Sequence, residues 1–209
     1  MLKILVENSV MPKLILASNN PGKIREIQSL LSGHDMEILP QALFTNEQAE
    51  ETGQTFLENA LIKARHAARL GGLPVIADDS GLEVDALGGA PGVFSARYAG
   101  AGASDQENNA KLLRELADVE DEKRTARFRC VMVYVRDAED TDPIVADAAW
   151  EGRILRETRG ENGFGYDPLF FVPELGCASA ELPPEVKNSL SHRGQALRLL
   201  VGRIMSDSE

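Results

Sequence analysis

The apolar positions of this chain switch repeatedly between strand-like runs and helix-like spacing, and caps and glycines mark the switches. Lys13–Ser18 (KLILAS) is a short apolar run that predicts a buried strand. Asn20 can cap the helix that follows, and Pro21 suits its first position. Ile24, Ile27, Leu30 and Leu31 then recur at helical spacing, with Gly33 as the expected end. Glu37–Leu43 predicts a second strand. Thr55 and Glu58 form a capping box ahead of a helix through Leu70. That helix carries Phe56, Ala60, Ala64 and Ala67 near one face, and Gly71-Gly72 stops it. Pro74–Ala77 predicts a strand ending in an acidic turn, Asp78-Asp79-Ser80-Gly81, with Leu82–Leu87 as a further extended segment.

Leu87–Ser104 predicts a long connection with five glycines and Pro91; ordered loops of that length are often functional. Ser104 and Glu107 make a second capping box, before a helix presenting Leu112, Leu113 and Leu116. Arg127–Arg136 and Ile144–Leu155 have strand character and are expected to pair. Glu161–Val172 mixes glycine with aromatics. Pro184–Leu190 and Gln195–Met205 predict closing helices, the second with Ala196, Leu199, Leu200 and Ile204 inward. Helices alternate with strands early and strands cluster late, which predicts an α/β fold with a mixed sheet. There is no internal repeat and no linker long enough to divide the chain.

Composition narrows the classes. The 209 residues carry 22 Lys+Arg against 33 Asp+Glu, a formal charge of −11, which argues against binding a nucleic-acid backbone. It leaves room for a small polyanion in a locally basic pocket. Two cysteines make neither a disulfide framework nor a four-cysteine zinc site; Cys130 reads as core and Cys177 as loop. No stretch reaches the roughly 18 apolar residues of a membrane span. Residues 1–10 lack the apolar core and cleavage site of a signal peptide, and Met11 opens a clearer strand. The expectation is a cytoplasmic protein with a poorly ordered extension at 1–10 and one domain over 11–209.

Five segments carry candidate chemistry. Ser18-Asn19-Asn20-Pro21-Gly22-Lys23 joins a strand to a helix, where free N–H groups and the helix dipole favour an anion. It is no Walker A loop, because the first glycine is absent and Ile24 follows the lysine. Taken alone it is equally a capped helix with a surface lysine. Asp78-Asp79 ends an apolar strand, where carboxylates often face a ligand crevice and where hard oxygens suit Mg²⁺. Taken alone it is more often a turn that caps a strand. Glu50-Glu51 precedes the capped helix, and Lys63 lies farther along it; both gain interest only if the fold brings them to Asp79. Gly163-Phe164-Gly165-Tyr166-Asp167 lets backbone approach a ligand and offers a ring to stack on a base. Lys187, His192 and Arg193 cluster near a helix start; without a ligand they would be a solvated helix end.

Together these segments closely resemble the inosine triphosphate pyrophosphatase family, whose members act on non-standard purine nucleoside triphosphates. The carrying stretches are LASNNPGK at 16–23, EETGQTFLENALIKARHAA at 50–68 and IADDSGLEVDALGGAPGVFSARYAG at 76–100. RTARFRCVMVYV at 124–135, GFGYDPLFFVP at 163–173 and SHRGQAL at 191–197 complete the set, and the bacterial branch is nearest. The resemblance implies hydrolysis of ITP, dITP and XTP to monophosphate and pyrophosphate, with Mg²⁺, by a homodimer. It implies an elongated mixed sheet flanked by helices, in two lobes with the active site in the cleft between them. By position, Ser18, Asn19, Asn20, Pro21, Gly22 and Lys23 match the triphosphate loop. Asp79 matches the proton acceptor and metal-site carboxylate, Ser80 a substrate contact and Glu50 the second metal-site acid, with Glu51 adjacent. Phe164, Gly165, Tyr166 and Asp167 match the base-binding segment, and Lys187, His192 and Arg193 further substrate contacts. Lys63 and Asp78 match catalytic positions. Two rivals carry weight: a related pyrophosphatase for other modified nucleotides, and a non-catalytic nucleotide-binding protein. Lys187 and Arg193, which suit a purine 6-keto edge, count against the first. Asp79, Glu50 and Lys23, all intact, count against the second.

Overall fold

The structure, a computed structural model, describes residues 12–32 and 36–207. The extension at 1–10, Met11 and Gly33 lie outside the described residues. Strand β1 (Lys13–Ala17) leads into helix α1 (Pro21–Leu31), and strand β2 (Glu37–Pro40) follows. Helix α2 (Phe56–Gly71) precedes strand β3 (Val75–Val84), and helix α3 (Asp105–Glu115) precedes strands β4 (Thr125–Val135) and β5 (Ile144–Ile154). Strands β6 (Phe170–Val172) and β7 (Cys177–Ala178) and helices α4 (Pro184–Leu190) and α5 (His192–Asp207) close the chain. The seven strands form one sheet in the order β2-β1-β3-β4-β5-β6-β7. β1 runs parallel to β2 and β3, and every later pairing is antiparallel, so the sheet is mixed as expected.

The helix signals act as the sequence implies. The Asn20 side chain accepts from the N–H groups of Gly22 and Lys23, and both capping boxes, Thr55/Glu58 and Ser104/Glu107, are formed. Gly72 ends α2 in the left-handed region at φ 64°, which only glycine adopts cheaply. Apolar side chains gather in three groups. Ile15, Ala17, Val75, Ala77 and Val133 pack under the alanine face of α2. Leu14, Leu16, Ile76, Cys130 and Met132 pack under α1 and α5 on the opposite face. Leu82, Val84, Phe128, Trp150 and Phe170 pack with Leu112 and Leu116 of α3 at the other end of the long strands.

Five local expectations change. Asp78–Gly81 is no turn: β3 runs unbroken from Val75 to Val84, because β4 matches it residue for residue from Val135 to Ala126. The second strand stops at Pro40 and Gln41–Leu43 is a 3₁₀ turn, held where the buried Gln41 amide donates to the Glu47 carbonyl at 3.1 Å. Helix α5 starts at His192 rather than Gln195, with the Ser191 hydroxyl accepting from the Gly194 N–H. Leu199 is 46% exposed, because the buried stripe of α5 runs through Ala196, Leu197, Leu200 and Val201. Cys177 pairs in β7 rather than lying in a loop. Among the described residues no helix is long and apolar enough to cross a membrane.

The long connection after β3 folds back onto it. The Ser95 hydroxyl accepts from the Leu82 N–H at 2.9 Å and donates to the Gly92 carbonyl at 2.6 Å. Farther along, the buried Arg124 guanidinium ties α3 to β5: it donates to the carbonyls of Leu116, Ile154 and Leu155 at 2.6–2.8 Å. Arg124→Met keeps much of the bulk but removes a buried donor from three carbonyls. A loss of about 3 kcal/mol or more is expected, read as a lower midpoint in urea. A midpoint equal to that of the parent protein would show the clamp to be dispensable.

Candidate active site

β1 stops at Ala17 while β3 continues, and their pairing covers only Ile15–Ala17 against Val75–Ala77. Between Ala77 and Leu82, where the connection after β3 folds back, β3 therefore has an open edge, and a cleft of about 500 Å³ lies there. Side chains alternate across a strand, so the adjacent carboxylates part. Asp78 goes to the face of α1 and α5, and Asp79 to the face of α2.

Asp78 is fully buried among cations. Lys23 Nζ, from the first turn of α1, lies 2.8 Å from its Oδ2, and Arg193 Nε lies 3.6 Å away. The Ser80 hydroxyl donates to the same oxygen at 3.3 Å, and Arg193 donates to Ser80 Oγ at 2.8 Å. Burial pushes this carboxyl upward, but Lys23, Arg193 and Lys63 outweigh it and hold the pKa well below the usual range. Asp78 stays ionised and anchors the cations; Oδ1 has no hydrogen-bond partner among the described residues.

Asp79 has the opposite balance. Lys63 Nζ lies 2.9 Å from Oδ1, and the Asn59 amide donates to Oδ2 at 3.3 Å. Burial dominates and raises its pKa, against the pull of Lys63 and Lys23. For Lys63, burial works downward, but Asp79, Asp78 and Glu51 together hold its ammonium above the ordinary value. Glu51 Oε1 lies 3.1 Å from the same Lys63 Nζ, and Arg97 lies 3.8 Å from Glu51 Oε2. Glu50, by contrast, is exposed and does not line the cleft, so the acid that reaches Lys63 is the second of the pair. The Thr52 N–H bonds back to the Glu50 carbonyl at 3.0 Å, a tight local turn at the pair rather than a regular strand.

Another wall of the cleft is aromatic and cationic. The Phe164 ring has Lys187 Nζ at 5.0 Å and the Arg193 guanidinium carbon at 5.7 Å from its centre. Both cations are fixed by acids. Glu26 of α1 accepts from Lys187 at 2.8 Å and from Arg193, and Asp167 accepts from Lys187 at 2.5 Å. Gly22 lies under the ring: a Cβ there would sit 2.5 Å from Phe164 Cδ1, so only glycine fits. His192 is buried against Phe128, with rings 4.8 Å apart and 13° from parallel. Burial, with Arg193 and Lys187 beside it, drives its pKa far down, so the ring is neutral.

Ser18, Asn19, Asn20, Pro21, Lys23, Lys63, Asp78, Asp79, Ser80, Phe164, Gly165, Tyr166, Asp167, Lys187, His192 and Arg193 all line this one cleft. Gly22 and Glu50 do not. Tyr166 and Asp167 are largely committed to the protein itself. The Tyr166 hydroxyl donates to the Ser95 carbonyl, and Asp167 accepts from Ser179, Lys187 and the Phe164 N–H. Sequence reasoning passed over Glu26, Asn59 and Arg97. Asn59 and Lys63 lie four apart beside the alanine face of α2, and Glu26 lies one turn beyond Lys23, so helical spacing held the signal for both. Nothing local marks Arg97.

The layout suits a ligand with a polyanion at one end and a flat ring at the other. This chain belongs to the Ham1 family, whose model matches residues 14–203. It is 63% identical over 192 residues to a dITP/XTP pyrophosphatase of Methylococcus capsulatus, covering 92% of this chain and 96% of that protein. The dITP/XTP pyrophosphatase of Pectobacterium atrosepticum is 60% identical over 91% of this chain and 97% of its own. A HAM1 protein from Coxiella burnetii has the same fold, with a TM-score of 0.87 at 49% identity over 94% of this chain and 100% of that chain. The resemblance carried by the motifs is thus borne out.

Glu26 supplies a test of the ion-pair cluster. Burial raises its pKa, but Arg193 and Lys187 outweigh burial and leave it lowered. A lowered folded-state pKa adds stability above the ordinary carboxylate range and loses it as pH falls through the folded value. Glu26→Gln should cost about 3 kcal/mol at pH 7, because two buried cations each lose one of their two acids. The gap between parent and variant urea midpoints should shrink toward pH 3. A gap independent of pH would show that Glu26 is not ionised in the folded protein.

Proposed function

We propose that this protein hydrolyses deaminated purine nucleoside triphosphates, ITP, dITP and XTP, to the monophosphate and pyrophosphate, clearing them from the nucleotide pool. One observation carries the reading most. The Asp79 carboxyl, its pKa raised by burial, shares a cleft with the Ser18–Lys23 loop that opens α1. A base is therefore set beside an anion seat. The names of the relatives, dITP/XTP pyrophosphatases over more than nine-tenths of their length, support the same chemistry.

In this reading Lys23, the Ser18 and Asn19 side chains and the dipole of α1 hold the phosphates. Lys63 and Asn59 fix the Asp79 carboxylate, which takes the proton of the attacking water. Water adds at phosphorus, the α–β anhydride breaks, and pyrophosphate leaves. Phe164 stacks on the base without distinguishing it. Lys187 and Arg193 donate toward a 6-keto oxygen, where a 6-amino group would set donor against donor.

Mg²⁺ fits the donor set. Asp79 and Glu51 offer hard carboxylate oxygens on either side of Lys63, and among the described residues no three acids, histidines or cysteines form a complete cage. An ion that keeps waters and borrows phosphate oxygens matches two carboxylates better than one needing many protein ligands. When bound, it would neutralise phosphate charge and polarise the reacting phosphoryl group. Glu51 takes the place expected of Glu50. The reading includes a homodimer in the cytoplasm, as the resemblance implies.

The direct test is a nucleotide panel assayed with and without Mg²⁺, with the products identified. ITP should yield IMP and pyrophosphate, and orthophosphate release instead would overturn the reading. Asp79→Asn should keep the fold and lower kcat by about 10²–10⁴. Turnover of ITP within a few-fold of the parent would remove Asp79 as the base. Lys23→Ala should lower kcat/KM for ITP while IMP affinity changes much less. Equal losses for both ligands would move Lys23 away from the outer phosphates.

A further inference from the structure

Helix α3 reaches the cleft at its first turns, and what it grips there is the backbone of one residue. The Asp105 carboxylate accepts from the Gly165 N–H at 2.7 Å. One turn on, the Asn109 side-chain amide donates to the Gly165 carbonyl at 2.9 Å. Both polar backbone atoms of Gly165 are thus held by side chains about 60 residues earlier in the chain. Asn109 is buried for this purpose, and its own side-chain oxygen has no partner among the described residues. A buried polar group left half satisfied is costly, so the contact it does make matters to the fold or to the site.

The gripped residue is the neighbour of Phe164. Gly163 and Gly165, on either side of that ring, stand at φ +79° and +62°, and glycine is the residue with the widest conformational freedom. The Phe164 N–H is fixed separately by Asp167. The Asp167 N–H closes the turn on the Phe164 carbonyl at 3.3 Å, and the two bonds from α3 hold Gly165 inside that turn. Asn108 faces another way: it donates to the Ala96 carbonyl at 3.3 Å and accepts from the Ala99 N–H at 2.8 Å. Consecutive asparagines thereby bind two loops of the cleft to a single helix.

We propose that Asp105 and Asn109 are positioning residues for the flat end of the substrate, acting through Phe164. By fixing Gly165 they set the angle at which the ring meets the base before substrate arrives, so the cost of ordering the ring does not fall on binding. This rests on the reading of the cleft as a purine nucleotide site. It concerns the base alone, since the reading assigns the phosphates to Lys23 and the start of α1.

The test is steady-state kinetics with ITP for Asp105→Ala, Asp105→Asn and Asn109→Leu, each also combined with Phe164→Ala. Inhibition by inorganic tripolyphosphate, a triphosphate without a base, is measured alongside. Asp105→Ala and Asn109→Leu should raise KM for ITP roughly three- to tenfold with kcat within about twofold. Asp105→Asn retains an acceptor for the Gly165 N–H and should recover most of the loss. In the Phe164→Ala background neither change should add a further loss, which is the signature of residues acting through one another. The tripolyphosphate inhibition constant should stay constant throughout. Equal weakening of tripolyphosphate, full additivity with Phe164→Ala, or an unaltered KM in Asp105→Ala would each overturn the proposal. Should Asn109→Leu fail to fold, Asp105→Ala decides alone. IMP affinity by calorimetry reads the same effect without turnover, so an inactive parent protein would count against the activity and not against the positioning role.

Discussion

The site depends on one strand outlasting its neighbour. β1 ends at Ala17 and β3 does not, so β3 offers an unpaired edge where its sequence reads Asp78-Asp79. Strand alternation then sends two adjacent carboxylates to opposite faces of the sheet. Had the two acids formed a turn, both could have faced the same solvent and the same cations. Instead each meets its own set: Lys23 and Arg193 on one side, Lys63 and Asn59 on the other. The same pair of residue types thereby acquires opposite pKa shifts, one lowered by cations and one raised by burial. That division separates a carboxylate held ionised from one with raised proton affinity, without any difference in side-chain chemistry.

Much of the fold was legible because its signals are local. The capping boxes at Thr55 and Ser104, the Asn20-Pro21 helix start and the alanine face of α2 each lie within a few turns of chain. Strands β4 and β5 were legible as a pair because their apolar runs are long. What stayed hidden was set at a distance. Whether Asp78–Gly81 is turn or strand is decided by β4, a strand far along the chain that pairs with every residue of it. The start of α5 at His192 depends on a serine cap that periodicity does not weigh.

The site was legible in a similar proportion. Most of the expected cleft residues line it, because their motifs sit at ends and edges of elements where alternation and helix geometry aim them. Glu50 and Glu51 could not be separated from sequence, since an irregular approach to a helix has no period to count. Glu26 and Asn59 look like ordinary polar positions on helix surfaces until tertiary packing buries them. Tyr166 and Asp167 show the converse: chemically able side chains whose hydrogen bonds are committed to their own protein.

From Asp167 through Lys187, Glu26 and Arg193 to Asp78 and Lys23, charges of alternating sign form a continuous, largely buried chain along the cleft. Such a chain constrains how the protein can be redesigned or can drift. Changing the sign of one interior member leaves two neighbours unbalanced in a medium that tolerates no bare charge. Change along the row therefore proceeds through paired replacements of opposite charge, or through uncharged positions outside it. The polarity of the whole row is inherited as a unit, and single substitutions explore its rim rather than its interior.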